Sequence, residues 1–161
     1  MTKTNAQPVI YGAGEVLSAR HFPTWLGLAL AAGAVNAGAF LANQRFVTHV
    51  TGTVTRIGLD VGQWVLMGEY ALVLGLFVLG AFFSVFAVQA RALRGRKPMP
   101  WAPLAATTGL LLLVALFGHA GLFGQLGTTV EQPGDFALLS VLALAMGLMN
   151  ATVASTTALA V

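Results

Sequence analysis

Four stretches of this chain contain no Asp, Glu, Lys or Arg over 19 residues or more, and they limit the folds available to it. They cover residues 24–42, 70–89, 102–123 and 136–161. A helix needs about 20 apolar residues to cross the hydrocarbon core of a bilayer. Charged residues make up 8% of the chain, whereas a soluble domain carries about 25%. The sequence therefore predicts an all-α, polytopic transmembrane helical bundle.

A ten-residue pattern occurs twice, at residues 28–37 and 142–151. Seven of the ten positions are identical, including a shared Gly-x-x-Asn-Ala. An amide in hydrocarbon is costly unless it is hydrogen-bonded, so its return at the same spacing predicts an internal two-copy repeat. In the first copy, Gly33, Asn36 and Ala37 share one helical face. We expect a neighbouring helix to pack closely against that face.

A fifth segment, residues 44–64, is more polar than the other four, and its path decides the topology. We expect it to cross the membrane, because it is long enough, which gives about five helices and a parallel repeat. If it is instead re-entrant, the first helix reverses and the repeat becomes inverted. Both arrangements occur in transporters. Four of the eight Lys and Arg residues lie in residues 91–97, which the positive-inside rule assigns to the cytoplasm.

The chain divides into a polar N-terminal tail, residues 1–22, and a transmembrane domain, residues 23–161. The predicted segments of that domain cover about 24–42, 44–64, 70–89, 102–123 and 136–161. The lipid bilayer is the expected partner. Because the basic residues are concentrated beside apolar segments, we expect contact with anionic lipid there and no binding to nucleic acid.

Polar side chains in the two copies and in the 44–64 segment are the candidates for a solute site. They are Asn36, Thr48, Thr51, Thr55, Arg56 and Asn150. Arg56 would hold an anionic group or pair with Asp60, four residues later. His49 is a candidate proton relay, since imidazole titrates near neutral pH. The alternative interpretation is that the two amides only join helices and that the polar segment is a wetted connector.

The residue patterns of known catalytic sites are missing from the sequence. It has no cysteine, no paired carboxylates and no phosphate-binding loop. We expect no enzymatic activity, no cofactor and no metal site. The sequence favours transport or binding of a small solute at the repeat interface. The alternative is a non-transporting membrane scaffold or accessory subunit, and the solute and the oligomeric state are left open.

Two motifs carry a family resemblance: Ala-Gly-x-x-Asn-Ala-x-x-Phe-Leu at residues 32–41 and Thr-Gly-Thr-x-Thr-x-x-Gly at residues 51–58. Together they resemble the bacterial YoaK-like integral membrane proteins, a domain of unknown function. The resemblance covers about residues 22–161 and implies an inner-membrane location. This sequence differs from the family pattern at Asn36, where many members carry Asp, and at residues 50–53, where Met-Thr-Gly-Asn is common.

The resemblance also implies about six helices in a full-length relative. The two copies are 114 residues apart, so a second Thr-Gly motif is expected near position 165. The last residue of the sequence is Val161. We therefore expect a C-terminally truncated form.

Overall fold

The structure, a computed structural model, describes residues 11, 13–123, 127 and 133–157. Within these residues the chain is helical and forms no strand. The helices are α1 (Ala13–Val16), α2 (Phe22–Asn43), α3 (Val50–Leu59), α4 (Trp64–Val85), α5 (Arg91–Leu93), α6 (Trp101–His119) and α7 (Pro133–Thr156), with a π-helical turn (Phe86–Ala90) joining α4 to α5. Much of the predicted N-terminal tail and the last four residues lie outside the described residues.

Four helices are long and apolar enough to cross a membrane. They are Phe22–Asn43, Trp64–Leu93, Trp101–His119 and Asp135–Thr156. Each overlaps one of the four uncharged stretches over most of its length, although its ends differ by a few residues from the predicted ones. The described part of the chain thus has the architecture of a multi-pass helical membrane protein.

The polar segment 44–64 does not form a spanning helix, which differs from our expectation. Only Val50–Leu59 is helical there. Ten residues of helix extend about 15 Å, half of the hydrocarbon thickness. Gln44 ends α2 in the left-handed conformation, at φ 58°, and Gly62 turns the chain into α4 at φ 100°. The segment is therefore re-entrant, since it leaves α2 and begins α4 at the same end of the bundle.

Contacts between helix ends establish the directions of the helices. The Asn43 side chain donates to the Asp135 carbonyl (3.2 Å), which joins the end of α2 to the start of α7. The Ser84 and Thr152 hydroxyls bond at 2.7 Å near the ends of α4 and α7. Helix α7 is therefore antiparallel to α2 and parallel to α4. The two copies of the ten-residue pattern run in opposite directions, as in an inverted repeat, while the duplication itself stays a prediction.

Helix α7 forms the centre of the bundle, and its contact with α4 is the closest. A Cβ atom at Gly147 would overlap the Phe77 carbonyl, and one at Gly80 would overlap the Leu144 carbonyl. Glycine at these two positions lets the backbones meet, which is how many membrane helices associate. On the other side of α7, the buried Thr107 hydroxyl of α6 donates to the Ala145 carbonyl at 3.2 Å.

The predicted packing face of the first copy is only partly correct. Asn36 is buried, but Gly33 and Ala37 are exposed, and a Cβ atom at Gly33 would have no neighbour within 4 Å. The buried side of α2 instead carries Asn36, Ala39 and Asn43. The same motif is therefore used differently in its two copies: the first buries its Asn, and the second buries its Gly.

Candidate functional site

The re-entrant segment and the adjoining ends of α2 and α4 enclose a cavity of about 550 Å³. Its walls are formed by Phe40, Gln44, Arg45, Phe46, His49, Gly52, Thr53, Arg56, Glu69, Tyr70 and Val73. Two guanidinium groups, an imidazole and a carboxylate thus face one space at the end of an apolar bundle. Ionisable groups in such a position mark a functional site by default.

Asn36 is the residue that holds the re-entrant segment in place. Its Oδ1 accepts hydrogen bonds from the backbone N–H groups of Val47 (3.0 Å) and Thr48 (3.3 Å). Its Nδ2 lies 3.1 Å from His49 Nδ1. The buried amide therefore satisfies backbone donors that no helix satisfies, a requirement wherever irregular backbone enters a membrane protein. The hydrogen bonds of the Asn36 side chain are thus made to residues 47–49 of this segment.

The same bonds determine which nitrogen of His49 carries hydrogen. Two N–H donors identify the Asn36 oxygen, so the amide nitrogen faces His49 and donates to Nδ1. Neutral imidazole has one donor and one acceptor nitrogen. Nε2 of His49 is therefore the N–H donor in the neutral ring. The ring also stacks at a tilt on Phe46, with centroids 4.9 Å apart, and both residues line the cavity.

An ion pair that the sequence analysis missed lies in the wall of the cavity. Arg45 Nη2 and Nε approach Glu69 Oε2 at 3.2 and 3.3 Å. The Arg45 guanidinium also lies over the Tyr70 ring, 5.4 Å from its centroid, and Nη1 donates to the Gln44 carbonyl at 3.2 Å. Glu69 is 1% exposed.

The helix boundary explains why Glu69 was missed. The third apolar segment was predicted to begin at residue 70, but α4 begins at Trp64. Glu69 therefore lies in the second turn of a spanning helix, not in a loop. An acid directly before the uncharged stretch 70–89 was the available signal.

Arg56 lies in the cavity wall as predicted, but without its predicted partner. Its side chain is exposed, and no ion pair joins it to Asp60, although both belong to the described residues. The link between the two is the backbone, where the Asp60 N–H donates to the Arg56 carbonyl at 2.9 Å. The Arg56 guanidinium is therefore available to a ligand in the cavity.

The predicted threonines do not line the cavity, but Thr53 does. The Thr55 hydroxyl donates to the Thr51 carbonyl within α3 (2.9 Å), and Thr53 bonds the His49 carbonyl in the same way (3.0 Å). Such bonds satisfy hydroxyls without a ligand. Thr48 contributes its backbone N–H to Asn36.

Asn150 lies away from Asn36, so the two amides do not form one central site. Asn36 is seven residues before the end of α2, and Asn150 is fifteen residues after Asp135 at the start of α7. Measured from the cavity end, these positions are about 10 Å and about 22 Å deep. Asn150 is also exposed. Among the described residues no group of three His, Cys, Asp or Glu side chains is placed to hold a metal ion.

The fold and the cavity define a class: a multi-pass helical membrane protein with a re-entrant segment and a charged cavity at one end. The family follows from comparison. A family model described as "Protein of unknown function (DUF1275)" matches residues 24–160, so the chain belongs to the DUF1275 family. Searches of curated proteins and of solved structures gave no significant match.

Proposed function

We propose that this protein binds a small anionic solute in the cavity and transports it across the membrane. The observation that carries the proposal is the charge around the cavity: two guanidinium groups and one carboxylate face it. Arg45 is neutralised by Glu69, but Arg56 has no ion-pair partner among the described residues. An unpaired cation in a partly enclosed space favours an anion, because the walls screen the charge less than bulk water does.

The proposed contacts use two donors in the cavity wall, Arg56 and His49. Arg56 supplies a planar fork of N–H groups, which suits a carboxylate or a tetrahedral oxyanion. The neutral His49 ring supplies Nε2–H, because Asn36 engages its other nitrogen. Asn36 is then a positioning residue. A cavity of 550 Å³ has the volume of an ordinary small-molecule site.

The proposed location is the bacterial inner membrane, with residues 91–97 in the cytoplasm and the cavity open to the other side. Gln89 of the π-turn donates to the Ser155 carbonyl at 2.8 Å, and the Tyr11 N–H donates to the Thr156 carbonyl at 3.0 Å. These bonds bring the N-terminal residues and the basic loop to the same end of the bundle. Arg20 adds to the positive charge at that end. The location agrees with the resemblance to YoaK-like proteins.

A non-transporting scaffold is the second candidate, and one observation favours it. The α4–α7 contact, through Gly80 and Gly147, leaves no room for a side chain between the backbones, as expected of helices that serve only to pack. A scaffold also has no need of a selective solute site. The two candidates therefore differ in whether the cavity binds anions.

Titration calorimetry of the purified protein in detergent tests the proposal, with sulfate, nitrate and acetate as probes. We expect at least one of these anions to bind. We expect Arg56→Gln to weaken that binding about tenfold or more, since a hydrogen bond to a charged group contributes about 1.5–3 kcal/mol. Arg20→Gln is the matched control, because Arg20 is exposed at the opposite end of the bundle.

Transport is tested separately, by anion flux into liposomes that contain the protein. We expect Arg56→Leu and Asn36→Leu to lose most of the flux. Full flux from a folded Arg56→Leu protein, or equal anion binding by Arg56→Gln and wild type, would contradict the proposed site. Specific binding with no flux would favour the second candidate.

A further inference from the structure

Glu69 is a buried carboxylate of which only one oxygen is paired. Both of its Arg45 contacts fall on Oε2. Oε1 is buried and has no hydrogen-bond partner among the described residues. An Arg–carboxylate pair is strongest when both oxygens are engaged in a parallel fork. The Glu69–Arg45 pair therefore lacks the parallel fork and is held through one carboxylate oxygen.

The surroundings of Glu69 offer the carboxylate little support besides Arg45. Arg56 belongs to α3, which packs against α4, and Asp60 follows the end of that helix. The Asp60 side chain forms a hydrogen bond with Tyr70, the residue after Glu69. His49 faces the cavity, and its Nδ1 lies within hydrogen-bond distance of the Asn36 amide nitrogen. From α7, the buried Asp135 repels the Glu69 carboxylate. From α4 itself, Tyr70 lies under Arg45.

We propose that Glu69 couples anion binding to uptake of one proton. The inference rests on the proposed anion site and identifies the ion that accompanies the solute. An anion that Arg56 attracts into the cavity also bonds to the Arg45 guanidinium, which lines the same cavity, and takes the place of Glu69 Oε2. The carboxylate then has no cation beside it in a buried site, where an unpaired charge is strongly disfavoured.

A proton from water neutralises the unpaired Glu69 carboxylate. It forms an O–H bond on Glu69, so that the Glu69–Arg45 ion pair, the anion and the proton become a neutral carboxylic acid and an Arg45–anion pair. Charge and atoms balance with no other reactant. Release of the anion reverses the step, because Arg45 again favours the ionised carboxylate. The cavity then takes up or releases the proton together with the anion.

Proton uptake on binding is the direct test. The purified protein is held in a weakly buffered detergent solution, and each of sulfate, nitrate and acetate is added while a pH indicator is followed. We expect about one proton taken up per anion bound by wild type. The apparent affinity should therefore rise up to tenfold per unit decrease in pH, while the probe itself stays ionised.

Glu69→Gln should bind the anion without proton uptake and with an affinity that does not depend on pH. Asp60→Asn is the matched control, because it removes a neighbouring carboxylate that does not line the cavity; it should keep the uptake. A second measurement on unmodified protein covers the case in which Glu69→Gln does not fold: infrared difference spectra on anion addition should show a new protonated-carboxyl band.

The outcomes separate the two proposals. Anion binding without proton uptake, or without the new carboxyl band, would overturn the coupling and leave the anion site standing. Uptake that persists in Glu69→Gln but is lost in Asp60→Asn would assign the proton to the other carboxylate and overturn the role of Glu69. No binding of any of the three anions would overturn both proposals.

Discussion

Asn36 and Asn150 occupy the same position of a repeated pattern, yet their surroundings differ. Asn36 accepts from the buried Val47 N–H and from Thr48, whereas Asn150 is exposed. If the acceptor of a buried N–H group is removed, the N–H is left without a hydrogen bond, and the folded state loses about 1–3 kcal/mol. We expect Asn36→Leu to lower the free energy of unfolding by that amount, measured by thermal denaturation in detergent.

Asn150→Leu is the matched control, because it makes the same substitution at the corresponding position of the second copy. Because Asn150 is exposed, we expect its replacement to change the free energy of unfolding by less than about 0.5 kcal/mol, or to raise it. Equal destabilisation by the two variants would show that Asn36 has no special role in holding the re-entrant segment.

A second substitution at this residue tests the hydrogen-bond direction. Asn36→Asp keeps an oxygen for the two backbone N–H donors but offers His49 only an acceptor. We therefore expect the neutral His49 ring to change tautomer, with its hydrogen moving from Nε2 to Nδ1. Nitrogen-15 chemical shifts of labelled histidine would distinguish the two forms. An unchanged Nε2–H tautomer in the variant would contradict the assignment.

At the scale of the element, the glycine of the repeated pattern is required for packing in helix α7 but not in helix α2. A Cβ atom at Gly147 would overlap the Phe77 carbonyl of α4, whereas one at Gly33, its counterpart in the first copy, meets nothing within 4 Å. Overpacking a tight contact costs about 1–3 kcal/mol. We expect Gly147→Ala to destabilise the protein by that amount.

Gly33→Ala is the matched control and should leave the stability unchanged or raise it by up to about 1 kcal/mol, because alanine is the better helix former. Thermal denaturation in the same detergent measures both. A stable Gly147→Ala protein would mean that α4 and α7 do not approach as closely as the contact requires.

Helix α3 shows how an element can differ from its sequence pattern. The segment 44–64 is long enough to cross the membrane as a helix, and its length was the reason for predicting that it does. Length sets only an upper limit, however. The left-handed Gln44, the bonds from Asn36 and the turn at Gly62 shorten the helix to Val50–Leu59. None of these three causes is visible in the hydropathy of the segment.

For the whole molecule, the path of the re-entrant segment determines on which side of the membrane the N-terminal residues and each loop lie. Single cysteines test this, since the chain has none of its own. We expect Ala19→Cys and Arg96→Cys to react with an impermeant maleimide only after the membrane is opened, and Gln63→Cys to react in intact cells. Wild type is the unlabelled control. Labelling of Ala19→Cys in intact cells would restore the five-span topology.

The sequence identified the four apolar helices well, but it identified only part of the cavity lining. The four uncharged stretches correspond to four apolar helices, and Asn36, His49 and Arg56 do belong to or adjoin the cavity. Arg45 and Glu69 were missed because they are 24 residues apart and meet only when α2 and α4 turn at the same end. Thr51, Thr55 and Asn150 were included because polarity alone does not show which way a side chain faces.

By itself, the sequence determined that this chain is a multi-pass helical protein, because apolar length and missing charge decide locally whether a segment can lie in lipid. The tertiary structure alone decided that segment 44–64 turns back, that the two copies run in opposite directions, and that Arg45 meets Glu69. The physical reason is that burial in lipid depends on each segment, whereas the partner of a buried amide, glycine or carboxylate depends on which distant backbone packs against it.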